Sequence, residues 1–362
     1  MKMLINKKEH IICLISVVVL LALTGVFLFK DRELSDIFAL LAGTDLRFIF
    51  LGLLAMVLFF AFEARAIQIL LQPLAGKRKY PVFYRYALID FYFSSITPGC
   101  SGGQPSQLYF MHRDNIPVSS SSLALLTYNT CCHIAVLLIA GITLSISGFG
   151  LLDKIGVFKY LLVFGVLAQS FLVVFYLIAI FNKRLAAFIV HTIVKILTKI
   201  RVIKDKEAAL AKVDAQIEDY RRGAGYIKQN PMLLLRTLLI SCLNLIALYS
   251  VPFWIFNAFG LSGFTFCDLI AAQVALTLCV ESLPIPGGMG VTESGFLLIY
   301  ASIFGSNLVV PALLLTRGLN YYTGLLVGGI ASAYSMRKKK VSLPVSSSLV
   351  SCTGGGGNAA DI

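Results

Sequence analysis

At 362 residues, with 58% hydrophobic and only 14% charged residues, the chain has the composition of a protein whose main solvent is lipid. A mean hydropathy of +0.84 excludes a pair of ordinary soluble domains. The net charge of +13 sits between apolar runs rather than on a basic module interleaved with aromatic residues, so it sets membrane orientation and points to no direct nucleic-acid site.

In chain order, the apolar run at about 11–29 is long enough to cross a ~30 Å hydrocarbon layer. Lys2, Lys7 and Lys8 precede it, but Lys30-Asp31-Arg32-Glu33 follows without a small-residue cleavage site, which reads as a retained anchor rather than a secretion signal. A second span at about 46–71 returns through a loop whose charge is diluted by Asp31, Glu33, Asp36 and Asp45. Basic clusters at Lys2-Lys7-Lys8, Lys77-Arg78-Lys79, Lys183 to Lys228 and Arg337 to Lys340 place those segments, and both termini, in the cytoplasm. The segment 81–119 then has cytoplasmic charge at both ends and a break in its middle. Its first arm, Val82 to Ile96, makes only ~22 Å of helix, so a re-entrant hairpin is expected.

Spans follow at about 121–149 and 157–181, then a basic linker over 183–230 that reads as cytoplasmic helix lying partly on anionic headgroups. The second half comprises a span at about 232–259, the segment 264–306 with the second break, and a span at about 308–335. Phe264 to Ser282 is long enough to span, so 264–306 reads either as a second re-entrant element or as two full spans. The fold class is thus all-α and polytopic, with about six to eight transmembrane helices in two inverted halves and one or two re-entrant broken helices. Residues 1–340 form a single membrane domain (first half 11–181, second half 232–335), and the Ser/Gly-rich tail 341–362 reads as disordered.

The breaks are Pro98-Gly99-Cys100-Ser101-Gly102-Gly103 and Pro286-Gly287-Gly288-Met289-Gly290. Glycine after proline lets the chain reverse, and the helix that restarts presents unpaired N–H groups and a partial positive charge. Gly102-Gly103-Gln104 and Gly290-Val291-Thr292 are therefore candidate cradles for a phosphate or carboxylate. Ionisable residues inside apolar runs mark a substrate path by default, here Glu63, Arg65, Asp90, Glu281, Glu293 and Arg317. Glu63 and Arg65 point to different faces of one helix. Arg317, Asn320 and Tyr321 share a face and would offer a guanidinium and two polar helpers to a lipid phosphate. The cysteines lie mostly in apolar runs without a CxxC pair and the histidines are scattered, so neither a metal nor a cofactor is expected.

Thr97-Pro98-Gly99-Cys100-Ser101-Gly102-Gly103-Gln104-Pro105 resembles the TPGGSGGEP element of the lysylphosphatidylglycerol synthase transmembrane-region family, and Pro286 to Glu293 resembles its PGGLGVREG element. Gln104 stands where that family usually has an acid and Thr292 where it has an arginine. The resemblance covers roughly 10–335 and implies a flippase-like protein of a prokaryotic plasma membrane. Its substrate would be an anionic or aminoacylated phospholipid of the lysylphosphatidylglycerol type, or a polyprenyl-phosphate lipid. The alternative it implies is phosphatidylglycerol lysyltransferase activity with a role in resistance to cationic antimicrobial peptides. In the longest members a soluble domain performs that transfer from lysyl-tRNA; the chain runs only to a short tail after Lys340, so lysyl-tRNA would matter only with a separate synthetase partner. Membrane phospholipid is the expected partner, a homo-oligomer or an envelope scaffold the further expectations.

Overall fold

A computed structural model describes residues 40–41, 43–97, 101–147, 158–182, 206–281 and 290–337. The first apolar run, the Pro98-Gly99-Cys100 tip, 183–205 of the linker, 282–289 with Pro286, Gly287 and Gly288, and the tail from 338 lie outside the described residues. The protein is an all-helical, polytopic membrane protein, and five of its described helices or helix pairs are long and apolar enough to cross a bilayer.

The helices are α1 (Leu46–Ala75), α2 (Tyr80–Ile96), α3 (Gly103–Arg113), α4 (Val118–Ser147), α5 (Phe158–Phe181), α6 (Lys206–Gln229), α7 (Pro231–Tyr249), α8 (Val251–Ala258), α9 (Phe266–Glu281), α10 (Val291–Arg317) and α11 (Thr323–Arg337). Asp45 caps α1 by accepting the Arg47 N–H at 2.9 Å, satisfying one of the donors a helix start leaves over. Proline near the first position starts α2, α7 and α8, where its missing N–H costs nothing. The predicted span 232–259 is α7 and α8 in sequence, joined at Ser250. Gly305 at φ 74° interrupts α10, dividing it into an arm 291–304 and the start of a span that continues through a π-helical turn, Gly318–Tyr322, into α11.

Neither arm of either break is long enough to cross. At ~1.5 Å per residue the 17-residue α2 and 11-residue α3 reach ~25 and ~16 Å, short of the ~30 Å hydrocarbon layer. Their far ends meet: Arg85 pairs with Asp114, and Tyr86 Oη donates to Asp114 Oδ2 at 2.6 Å. The first element is therefore a hairpin with its base at one face of the bundle, where Arg113 Nη2 also donates to the Met336 carbonyl at 3.1 Å. The 16-residue α9 and the arm 291–304 form a second antiparallel hairpin, with Tyr300 Oη 3.0 Å from Gln273 Oε1. Its base lies at the opposite face, where Phe304 packs on Phe256 and Phe259 and the Asp45 N–H donates to Ala258 O. The open choice over 264–306 thus resolves to a second re-entrant element.

The halves pack reciprocally. Hairpin α2–α3 leans on α11, the last helix of the second half, and α9 leans on α4 and α5, the last two spans of the first half, while α1 lies along α7. Close approach between α11 and α2 depends on Gly324 and Gly328, which rest on the Phe91 ring and on Leu88 O and Tyr92. The outward stripes Leu46-Phe50-Leu54, Leu235-Leu239-Leu243 and Leu326-Ile330-Tyr334 recur every three or four residues and are exposed, as lipid-facing surface must be. A β-carbon at Gly328 would come within 2.6 Å of Leu88 O, so Gly328→Val is expected to cost about 1–3 kcal/mol by overpacking. Gly225→Ala, in open space on α6, should gain about 0.5–1 kcal/mol in helix propensity. Unfolding of the purified variants in mild detergent measures both.

Candidate functional site

The described residues that flank the two breaks are linked within the bundle through Glu293, Arg317, Tyr321 and Ser95. Just before the first break, Thr97 Oγ1 donates to Phe93 O at 2.7 Å and accepts the Gly102 N–H at 2.8 Å, so one hydroxyl closes the end of α2 onto the start of α3. Gly103 lets the two arms touch: a β-carbon there would stand 2.5 Å from Asp90 Oδ1 and 2.1 Å from Ser94 Oγ. Just after the second break, Gly290 at φ 84° caps α10, and its N–H donates to Glu293 Oε2 at 2.5 Å. Both restarting helices therefore satisfy one N–H with a side chain close by. Part of each predicted cradle is already filled.

Glu293 has a second partner. Arg317 Nε donates to Glu293 Oε1 at 2.9 Å, and Nη2 stands 2.8 Å from the same oxygen as an ion-pair contact without a hydrogen bond. Both side chains are buried, at 11% and 7% exposure. The guanidinium lies 5.2 Å from the centre of the Tyr321 ring, and Tyr321 Oη donates to the Ser95 carbonyl at 3.1 Å. Ser95 is in the last turn of α2, so this contact ties the second half to the tip of the first hairpin. Asn320, half-buried on the π turn, keeps a buried Oδ1 without a hydrogen-bond partner among the described residues, one turn from the Arg317 Nη2 that also lacks one among them. An unmet donor and an unmet acceptor within one turn can receive a polar ligand.

A second polar cluster lies one layer away. Glu63, 3% exposed, accepts from Gln107 Nε2 at 3.0 Å, and the same nitrogen is 3.2 Å from Tyr86 O. Asn244 Nδ2 donates to the Phe59 carbonyl at 2.6 Å, and Tyr128 Oη donates to Asn244 Oδ1 at 3.4 Å.

The predicted residues thus separate. Gly102, Gly103, Gly290, Glu293, Arg317, Asn320 and Tyr321 gather around the two tips, and Glu63 and Asp90 line the layer behind the first. Gln104 is exposed and turned away. Arg65 also leaves the site: exposed on the outer side of α1, it bonds Gln68 Oε1 at 2.7 Å, as a snorkelling residue would. Glu281 ends α9, and Pro98, Gly99, Pro286, Gly287 and Gly288 fall outside the described residues. Gln107, Tyr128 and Asn244 escaped the sequence reading. Gln107 had a signal, since it follows Gly103 by four residues and must share its face of α3.

The family model described as the lysylphosphatidylglycerol synthase TM region matches residues 13–328. The chain belongs to that family. The match takes in both breaks and the polar residues of both layers. The chain is also similar to a UPF0104 membrane protein of Archaeoglobus fulgidus, 21% identical over 332 residues that cover 90% of this chain and 98% of the relative.

Removing one partner of a buried ion pair leaves the other charged and alone. Arg317→Ala is expected to destabilise the protein by about 3–5 kcal/mol, whereas Arg317→Met combined with Glu293→Gln should cost much less. Detergent unfolding of the single and double variants tests this; equal losses would show that the pair is not coupled.

Proposed function

We propose that the protein moves a lipid with a phosphate-bearing headgroup between leaflets, the headgroup passing between the two hairpin tips. One observation carries this reading: a buried guanidinium between the described flanks of the two breaks, with a donor at Arg317 Nη2 and an acceptor at Asn320 Oδ1 that have no hydrogen-bond partner among the described residues. A guanidinium binds phosphate through two parallel N–H bonds, and an arriving phosphate can take the position Glu293 Oε1 holds in the resting protein. Glu293 would keep its bond to the Gly290 N–H, so the helix cap survives the exchange. Inverted halves with broken helices at the midplane suit alternating access from the two faces. Family membership supports lipid as the substrate class, with anionic phosphatidylglycerol-type lipids, their aminoacyl forms and polyprenyl phosphates as the chemistries that fit.

Orientation follows from charge. Lys77, Arg78, Lys79, Arg113, the basic helix α6 and Arg337 all lie toward the face that holds the base of the first hairpin, which supports the proposal that this face is the cytoplasmic one of a prokaryotic plasma membrane, with both termini on that side. In a cysteine-free background, Arg222→Cys should be shielded from an impermeant thiol reagent added to intact cells and Ser262→Cys should be labelled. The reverse pattern inverts the assignment.

In proteoliposomes carrying a fluorescent phosphatidylglycerol, leaflet exchange should fall about tenfold or more in Arg317→Lys, since a charged hydrogen bond is worth about 1.5–3 kcal/mol. It should also fall in Gly103→Leu, whose side chain collides with Asp90. Unchanged exchange in both variants removes the tips as the path. A ninhydrin-positive lipid appearing in cells that express this chain alone would instead favour lysyl transfer.

A further inference from the structure

The acidic cluster behind the first hairpin takes no part in the headgroup site, yet it carries a charge problem of its own. Glu63 on α1 is almost fully buried, and its hydrogen-bond partner among the described residues is a neutral amide, Gln107 Nε2 at 3.0 Å. That amide also contacts Tyr86 O, while Gly103, one turn before Gln107, rests on Asp90, one turn after Tyr86. The two carboxylates therefore approach the same face of α3 from α1 and α2, Glu63 at Gln107 and Asp90 at Gly103 one turn before it.

No described cation answers them. Arg65, two residues along α1, faces outward and bonds Gln68. Arg85 on α2 is taken by Asp114, and Arg317 by Glu293. His133 on α4 is turned to Gln169 of α5. The groups that do face the acids are Gln107 from α3 and Tyr128 and Cys132 from α4, backed by Ser241 and Asn244 of α7, which contact Cys132 and Tyr128. From the second half, Tyr321 reaches Ser95 O, one turn beyond Asp90. The segments 98–100 and 282–289 bring no lysine, arginine or histidine in their sequence. A further polar group is left over: Ser241 Oγ, in a side chain with 0% exposure, has no nitrogen or oxygen partner among the described residues and lies beside the Cys132 sulfur.

Two carboxylates this close in a low-dielectric interior repel strongly when both are ionised, and each pays a desolvation cost that no described cation offsets. A sodium ion would need five or six oxygen donors directed inward. Here an amide N–H already points at Glu63 Oε1, which leaves Oε2 as the position for a proton. Asp90 instead stands against the start of α3, where the helix presents a partial positive charge.

We propose that Glu63 and Asp90 hold one exchangeable proton, resident on Glu63, and that its uptake and release are coupled to headgroup passage at Arg317. The step balances simply: Glu63 carboxylate takes a proton from the water reaching one face and returns it to the other. The structural link is short. Asp90 and Ser95 share α2, Ser95 O accepts from Tyr321, and Tyr321 lies against Arg317, so displacement of either tip disturbs both sites. The coupling clause rests on the lipid-movement reading; the proton site itself does not.

The test has two separable arms. Infrared titration of the purified protein in lipid should show a protonated carboxyl C=O band at neutral pH that disappears in Glu63→Gln, with Asp90→Asn moving the pH at which it is lost. Absence of the band in the unaltered protein, or its persistence in Glu63→Gln with no shift in Asp90→Asn, overturns the site. In proteoliposomes with clamped membrane potential, a gradient of ~1 pH unit should shift the leaflet ratio about tenfold for one coupled proton, and Glu63→Gln should abolish that shift. Exchange that responds to a sodium gradient instead, or to neither ion, overturns the coupling. A band that behaves as expected in a protein that moves no lipid keeps the proton site and removes the transport reading.

Discussion

Broken backbone inside a bilayer has nowhere to find hydrogen bonds except in the protein itself, and most of this architecture answers that constraint. The helix that restarts after each break has its first N–H closed by a nearby side chain. Thr97 serves the first tip, accepting the Gly102 N–H, and Glu293 serves the second, accepting the Gly290 N–H. The two closing groups differ in charge. A hydroxyl is neutral and ends the matter, whereas a carboxylate in the same role must itself be neutralised, and Arg317 does so. The ion pair at the centre of the bundle is in this sense a consequence of how the second break is capped.

Reciprocal packing places those tips together. Because each hairpin is covered by a helix of the other half, a tip cannot shift without moving its host. Gly324 and Gly328 on α11 let the backbone of α2 approach closely, and Gly165 on α5 sits directly over the Leu278 carbonyl of α9. Without a hydrophobic force between helices in lipid, such close backbone contact is a main source of cohesion, so small residues stand at the seams and bulky ones face the lipid. The long 291–337 segment would overshoot the bilayer as one rod. Gly305 at positive φ divides it, and the π turn at Gly318–Tyr322 reorients the residues after Arg317.

Much of this architecture is legible in the sequence. Hydropathy marks the spans, and the short arm before Pro98 points to a re-entrant first break. The second break is ambiguous there because hydrophobic length alone cannot tell a 16-residue arm with an apolar lead-in from a full span; Gly305, which ends the return arm, looks like any other glycine until its φ is known. Among site residues, charge in an apolar run finds Glu63, Asp90, Glu293 and Arg317, but also Arg65, since sequence does not say which side of a helix faces lipid. Neutral partners such as Gln107 and Asn244 carry no hydropathy signal strong enough to stand out, and Thr97 reads as part of a turn rather than its clasp.

Counting charge joins the two polar layers. The described interior holds three acids, Glu63, Asp90 and Glu293, against one arginine, Arg317, which is committed to Glu293. A hydrophobic pair at the Arg317 and Glu293 positions would pack as well or better, because buried ion pairs rarely repay their desolvation. On the proposed lipid-movement reading, the pair is a site held ready for an anion that can substitute for Glu293 rather than a device for stability. When a phosphate takes that place, the released carboxylate raises the negative charge of an interior that already contains two further acids. The proton held on Glu63 keeps the acid pair at one negative charge and is harder to release while the headgroup is bound, which makes passage of an anionic headgroup and occupancy of the acid pair mutually dependent by electrostatics alone.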